Sequence, residues 1–216
     1  MKRFLDEAQG LDADDALAHL RQCFHVPDGV VYLDGNSLGL MPKGVPARLA
    51  ATAEAEWSEG LIRSWTAAGW MKLPSTVGDR IAPLIGAGPG EVVVGDSTSV
   101  NLFKCLAAAL ELRCGRRVIL AEADNFPTDN YIAEGLVGLS GDRIVRYAAT
   151  DEPIADSLAD NVAVLVLSHI HYRTALIQDM GAVTAAAHAA GALVLWDLSH
   201  SAGVLPVDLG GADVDF

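Results

Sequence analysis

The apolar run Leu193-Val194-Leu195-Trp196 ends in Asp197, and His200 follows three residues later. In an open α/β sheet, ligands dock in the crevice beyond the carboxyl ends of the strands, so a carboxylate and an imidazole there are candidates for chemistry. A carboxylate facing a heteroaromatic nitrogen keeps that nitrogen protonated, which lets the ring act as an electron sink, as the pyridoxal phosphate ring does. Two further segments supply complementary groups at similar positions after strands. Gly95-Asp96-Ser97-Thr98-Ser99 brings hydroxyls and backbone N–H groups to the start of a helix expected near Val100, where unpaired donors and the helix dipole stabilise a phosphate. Asn125-Phe126-Pro127-Thr128-Asp129 holds an aromatic ring by a proline in front of another helix, where the ring can stack on a planar ligand. Together these residues suggest a pocket for an anionic, planar, aromatic cofactor.

Each segment also has a purely structural reading. Asp197 can cap the turn at Ser199 or Ser201, the Ser and Thr before Val100 can be ordinary N-caps, and Thr128 or Asp129 can cap the helix through Tyr131. His169-Ile170-His171 offers a competing chemistry. Two imidazoles at spacing two lie on one face of a strand end, and with Asp197 and His200 they could hold zinc in a metal-dependent hydrolase. No third ligand sits at a recognised spacing, so no metal site is expected. Gly86-Ala87-Gly88-Pro89-Gly90 precedes a strand and lacks the full dinucleotide pattern, which makes it a turn.

The elements that must position these residues follow a rhythm from Glu91 onward. Val92–Val94, Arg117–Leu120, Arg143–Val145, Val162–Leu167 and Leu193–Trp196 read as short strands buried on both faces. Between most of them, helices are expected over Val100–Arg113, Asn130–Leu139 and Ala182–Ala190, closed by Gly115, Gly141 and Gly191. Strands alternating with helices imply an α/β fold with a mostly parallel sheet. Upstream, a short helix is expected over Ala13–Cys23, a strand over Val30–Leu33 that runs into the loop Asp34-Gly35-Asn36-Ser37-Leu38-Gly39, and a helix over Pro46–Glu59 closed by Gly60, with Trp57, Trp65 and Trp70 nearby. The simplest division is an N-terminal arm, 1–44, and one major domain, 45–216.

With 216 residues, 51% of them hydrophobic, the chain can bury a substantial core. Its formal charge of −13 repels nucleic acid and anionic membrane surfaces, so the expected partner is a small molecule. Apolar runs stop short of the roughly 18 to 20 residues that span a bilayer, and Met1-Lys2-Arg3-Phe4-Leu5-Asp6-Glu7 turns acidic where a signal peptide would be apolar. Cys23, Cys105 and Cys114 form no Cys-x-x-Cys pair and fit reduced thiols. A cytoplasmic location is expected.

Four motifs in order, Tyr32-Leu33-Asp34-Gly35-Asn36-Ser37-Leu38-Gly39, Phe126-Pro127-Thr128-Asp129, Ser168-His169-Ile170-His171-Tyr172-Arg173-Thr174 and Trp196-Asp197-Leu198-Ser199-His200, resemble the kynureninase family. That family comprises fold-type-I pyridoxal-phosphate enzymes of the aspartate aminotransferase superfamily. The resemblance implies a PLP-transferase-like large domain, incomplete at its C-terminus, and a homodimer. It implies that Thr98 and Ser99 hold the cofactor phosphate and that Phe126 stacks on the ring. Pro127, Thr128, Asp129 and Ser168 would complete the pocket, Asp197 would pair with the ring nitrogen, and His200 would lie near the phenolic oxygen or the substrate carboxylate. Ser64 and Trp65 would approach the substrate.

The implied activity is hydrolytic Cβ–Cγ cleavage of L-kynurenine, and of 3-hydroxykynurenine in some members, to anthranilate and L-alanine. This is a step of the kynurenine pathway of tryptophan catabolism that leads toward NAD biosynthesis. Cysteine desulfurases and aminotransferases share the strand-end Asp and are the nearest alternatives. The family's Schiff-base lysine falls beyond Gly211-Ala212-Asp213-Val214-Asp215-Phe216, and the lysines here are Lys2, Lys43, Lys72 and Lys104. No catalytic residue is therefore assigned within the chain, and it is expected to be inactive alone.

Overall fold

The computed structural model describes residues 2–148 and 152–216. These group into two compact units, Met1–Met71 and Lys72–Phe216.

In the first unit, helix α1 (Lys2–Asp14) lies upstream of the expected Ala13–Cys23 helix, and Ala18–Cys23 is a 3-10 segment. The break has a local cause: Asp15 Oδ1 accepts the Leu17 N–H at 2.8 Å, an alternative to continuing the helical ladder. Val30–Leu33 is not a strand. Among the described residues no strand pairs with it, and Val31 and Leu33 are exposed. The loop after it is a built turn, in which Ser37 Oγ donates to Asp34 Oδ1 at 2.8 Å and Tyr32 Oη donates to the Leu38 carbonyl at 2.6 Å. The expected Pro46–Glu59 helix divides into α2 (Val45–Ala51) and a π-helical stretch, Thr52–Glu59, capped by Gly60. Gly60 is required there, because a Cβ would lie 1.9 Å from Ser64 Oγ and 2.3 Å from the Glu56 carbonyl oxygen. A short helix α3 (Ser64–Ala67) follows.

The second unit opens with α4 (Leu73–Ile81), whose Gly78 lets the chain at Val92 pass: a Cβ at Gly78 would stand 1.9 Å from the Val92 carbonyl oxygen. Val92–Val94 therefore runs beside α4, outside the sheet, with the Val94 N–H on the Pro74 carbonyl at 3.2 Å, and is not the strand its composition suggests. Then come α5 (Thr98–Leu112), β1 (Val118–Glu122), α6 (Pro127–Ser140), β2 (Ile144–Ala148), β3 (Val162–Ser168), α7 (Met180–Ala189) and β4 (Leu193–Asp197). These four strands and three helices match the sequence pattern within a few residues.

The strands form one parallel sheet in the order β2-β1-β3-β4. All seven residues of β3 are buried, as a central strand covered on both faces requires. Successive residues alternate between two cores. Ile119, Val164, Val166 and Leu195 pack with Leu106, Leu110, Ala133 and Leu136 of α5 and α6, while Leu120, Leu165, Leu167, Val194 and Trp196 pack with Met180 and Ala187 of α7. Each fully buried leucine contributes roughly 1.5–3 kcal/mol by removal from water. Because α6 crosses one face and α7 the other, the chain reverses its winding between β1 and β3. Such a switch point opens a crevice at the carboxyl ends of the two strands.

Candidate functional site

The loops after β1 and β3 meet at that crevice. Ser168 ends β3 in register with Asp197 at the end of β4, and the His169 N–H donates to the Asp197 carbonyl at 3.0 Å. Ser168 Oγ donates to Asn125 Oδ1 at 2.7 Å, which ties the post-β1 loop to β3. Asn125 is 3% exposed, and the sequence motif by itself assigns it no role. Its position before Phe126-Pro127 was the available signal.

The structure joins the two readings of Asp197. Its Oδ1 accepts the Ser199 N–H at 2.7 Å and the Ser199 hydroxyl at 2.5 Å, so the side chain does close the next turn. Asp129, 2% exposed in the first turn of α6, lies near this carboxyl group: burial first, then the Asp197 charge, push its pKa up to about 7. Two neighbouring carboxyl groups cannot both ionise cheaply in a buried site, so near neutral pH this pair retains a proton.

Neither Thr128 nor Asp129 caps α6. Phe126 occupies the N-cap position without a side-chain cap, and Pro127 starts the helix. Phe126 stays 36% exposed, held edge-on by Tyr172 at 5.2 Å between ring centroids and lying 6.2 Å from the His200 ring. Its free face is available for stacking. At α5 the cap is Ser97, whose Oγ accepts the Val100 N–H at 3.4 Å, and Thr98 and Ser99 fall in the first helical turn, two residues earlier than expected. Asn101 braces this turn through the Gly95 carbonyl at 2.6 Å. Thr98, Asn101, Asp129, Trp196 and Asp197 line an open cavity of about 260 Å³.

This donor set fits pyridoxal phosphate. Asp129 Oδ2 and His200 Nδ1 are buried without a hydrogen-bond partner, polar atoms of the kind a bound polar ring would satisfy. Thr98 and Ser99 on the helix start would hold the phosphate, Phe126 the ring face, and Asp197 the ring nitrogen.

The two strand-end imidazoles do not share a face. His169 stands edge-on to Trp196 at 5.9 Å on the α7 side, and burial lowers its pKa. His171 instead uses Nε2 toward the Asp124 carbonyl at 3.0 Å, while its Nδ1 accepts the Arg173 and Thr174 N–H groups, so the ring proton sits on Nε2. Among the described residues no three His, Cys, Asp or Glu side chains are grouped to hold a metal ion.

Ser64 and Trp65 belong to the first unit. Ser64 is buried with its hydroxyl on the Glu56 carbonyl at 2.5 Å, and Trp65 is half exposed, edge-on to Trp70 at 6.1 Å. Glu56 accepts from Arg48 and from Trp70 Nε1, and these hydrogen bonds, Arg48 first, lower its pKa.

Comparison with known proteins gives three findings. Residues 32–216 match the family described as Aminotransferase class-V. A kynureninase of Deinococcus radiodurans is 57% identical over 219 residues, covering 98% of this chain and 53% of that protein. A kynureninase of Burkholderia pseudomallei strain K96243 is 52% identical over 216 residues, covering 97% of this chain and 52% of that protein. The chain thus spans about half the length of the curated relatives it matches. Among solved structures, the cysteine desulfurase CsdA of Escherichia coli superposes with a TM-score of 0.72 at 18% identity, covering 94% of this chain and 53% of that one. A C-DES variant with glycine covalently linked to its PLP cofactor gives 0.73 at 16% identity, covering 90% and 53%. At such identities these two likenesses concern the fold alone, the fold-type-I PLP-transferase architecture.

Proposed function

Because the chain belongs to the aminotransferase class-V family, we propose that it forms the cofactor-binding part of a kynureninase. Such an enzyme uses pyridoxal phosphate to cleave the Cβ–Cγ bond of L-kynurenine hydrolytically, giving anthranilate and L-alanine. The observation that carries this reading is buried Asp129 beside half-buried Asp197 at the switch point, with Phe126 exposed nearby. The 52–57% identity to kynureninases favours this chemistry over that of the cysteine desulfurase CsdA, which shares the architecture at 18% identity.

When bound, pyridoxal phosphate supplies an electron sink for carbanion chemistry. The chain's own residues orient it and set its charge. Asp197, anchored by Ser199, would pair with the ring nitrogen and hold a proton there, while buried Asp129 beside it would keep its own proton near neutral pH. Thr98 and Ser99 receive the phosphate at the start of α5, whose orphan N–H groups and dipole favour an anion. Phe126, backed by Tyr172, would stack on the ring and exclude water from that face. Ser168, oriented by Asn125, and His200 would complete the cofactor pocket. Lys104 is ion-paired with Asp96 and holds no place in this scheme.

The same reading extends to a cytoplasmic homodimer acting in tryptophan catabolism, on the kynurenine pathway toward NAD biosynthesis. Three unpaired cysteines support the reducing compartment. The test is to titrate the chain with pyridoxal phosphate, following ligand absorbance and tryptophan fluorescence, and to measure anthranilate release from L-kynurenine in the complete protein. Saturable binding weakened at least about tenfold, roughly 1.4 kcal/mol, by Phe126→Ala or Asp197→Ala is expected. Binding unaffected by both substitutions, or a complete protein that releases no anthranilate, would overturn it.

A further inference from the structure

On the other side of the Asn125-Phe126-Pro127 segment lies a second cavity of about 410 Å³, bordered by the ends of β1 and β2 and the first turns of α6. Asn125 and Asn130 both line it, at 3% and 7% exposure, and each keeps a buried amide atom without a partner: Nδ2 of Asn125 and Oδ1 of Asn130. Asn130 cannot be turned round to remove the deficit, because its Nδ2 donates to the Glu122 carbonyl at 3.1 Å and reaches the Ala123 carbonyl at 3.4 Å. An unpaired buried acceptor costs about 1–3 kcal/mol, a cost that a bound donor removes.

The other lining groups select the donor. Asp124 and Glu134 place negative charge at the cavity, and Arg173, whose side chain makes no hydrogen bond or ion pair among the described residues, places positive charge there. Glu134 is held by the Tyr147 hydroxyl at 2.6 Å, and burial followed by Glu134 pushes that phenol up to about 12, so it stays a donor. Tyr131, Tyr147 and Tyr172 add aromatic surface. Two carboxylates without a third His, Cys, Asp or Glu are too few to define a metal site. They do suit an organic ammonium, which also gains from tyrosine faces.

We propose that this cavity binds a zwitterionic α-amino acid with an aromatic side chain, its ammonium on Asn130 Oδ1 and the Asp124–Glu134 side, its carboxylate on Arg173 and Asn125 Nδ2. The site is distinct from the cofactor pocket and requires no cofactor.

The test uses the isotope-labelled 216-residue chain without added cofactor, titrated with L-phenylalanine and, in parallel, with phenethylamine and 3-phenylpropionate, which each lack one charged group. Saturable shifts of the Asn125 and Asn130 side-chain amide signals with L-phenylalanine are expected. Each half-ligand, and the exposed Arg173→Gln variant with L-phenylalanine, should bind at least about tenfold more weakly, the loss of roughly one charged contact. The exposed Glu134→Gln serves as a second variant: it removes one carboxylate from the ammonium side and should weaken L-phenylalanine binding as well. Three results would overturn the proposal: no saturable shifts, equal binding of 3-phenylpropionate, or shifts centred on Phe126 and Asp197. Because no cofactor is present, none of these outcomes bears on pyridoxal phosphate binding.

Discussion

Replacing Asp129 by Asn tests the carboxyl pair without changing its shape. Burial and Asp197 raise the Asp129 pKa from 3.8 to about 7, so the native state holds a proton that the unfolded chain has released. Stability then falls as pH rises through the interval from 3.8 to about 7, and the full cost persists above it. At 1.36 kcal/mol per unit, the cost is roughly 2 kcal/mol near pH 5.5 and roughly 4 kcal/mol near pH 8.5. Asn carries no charge at either pH and can still donate to Asp197. Urea unfolding of parent and variant should therefore show the advantage of Asp129→Asn growing by about 2 kcal/mol between those two pH values. A difference between the two proteins that does not change with pH would mean that Asp129 ionises as an ordinary carboxylate, and would refute the reasoning.

Three other perturbations follow from the backbone and the site. Ala175 sits at φ 57°, where a Cβ is strained, so Ala175→Gly should raise stability by about 0.5–1 kcal/mol, read as a higher thermal midpoint. Gly78→Ala would drive a Cβ against the Val92 carbonyl at 1.9 Å, and a loss of at least about 2 kcal/mol in urea unfolding is expected. Trp196→Phe removes the indole donor to Thr184 Oγ1, 3.1 Å away inside the core, leaving that hydroxyl without its partner at a cost of about 1–3 kcal/mol, measured the same way.

Much of the sheet was legible because β1 to β4 are short apolar runs, with α6 between β1 and β2 and α7 between β3 and β4, the rhythm of a covered parallel sheet. Val92–Val94 carries the same composition and fails as a strand because Gly78 lets it lie against α4. Composition reports burial preference and says nothing about which neighbour supplies the hydrogen bonds. Asp197 was legible as a strand-end carboxylate, yet its choice between turn cap and ligand was not, since the side chain does both. For Asp129 the sequence left cap and pocket open, and the burial that raises its pKa depends on β4, some seventy residues away. Asn130 was invisible for the same reason: its donor is spent on the chain after β1, and only the folded loop shows its acceptor left over. The π-helical stretch Thr52–Glu59 reads in sequence as plain helix, and the Ser64 hydroxyl that reaches back to the Glu56 carbonyl comes from beyond it in the chain.

The ¹⁵N chemical shift of the ring nitrogen of labelled pyridoxal phosphate bound to this chain is the most direct probe of a proton held by Asp197. A protonated pyridinium near neutral pH, reverting to neutral pyridine in Asp197→Ala, is the predicted result. A neutral ring nitrogen in the parent, or a protonated one that survives Asp197→Ala, would contradict the account.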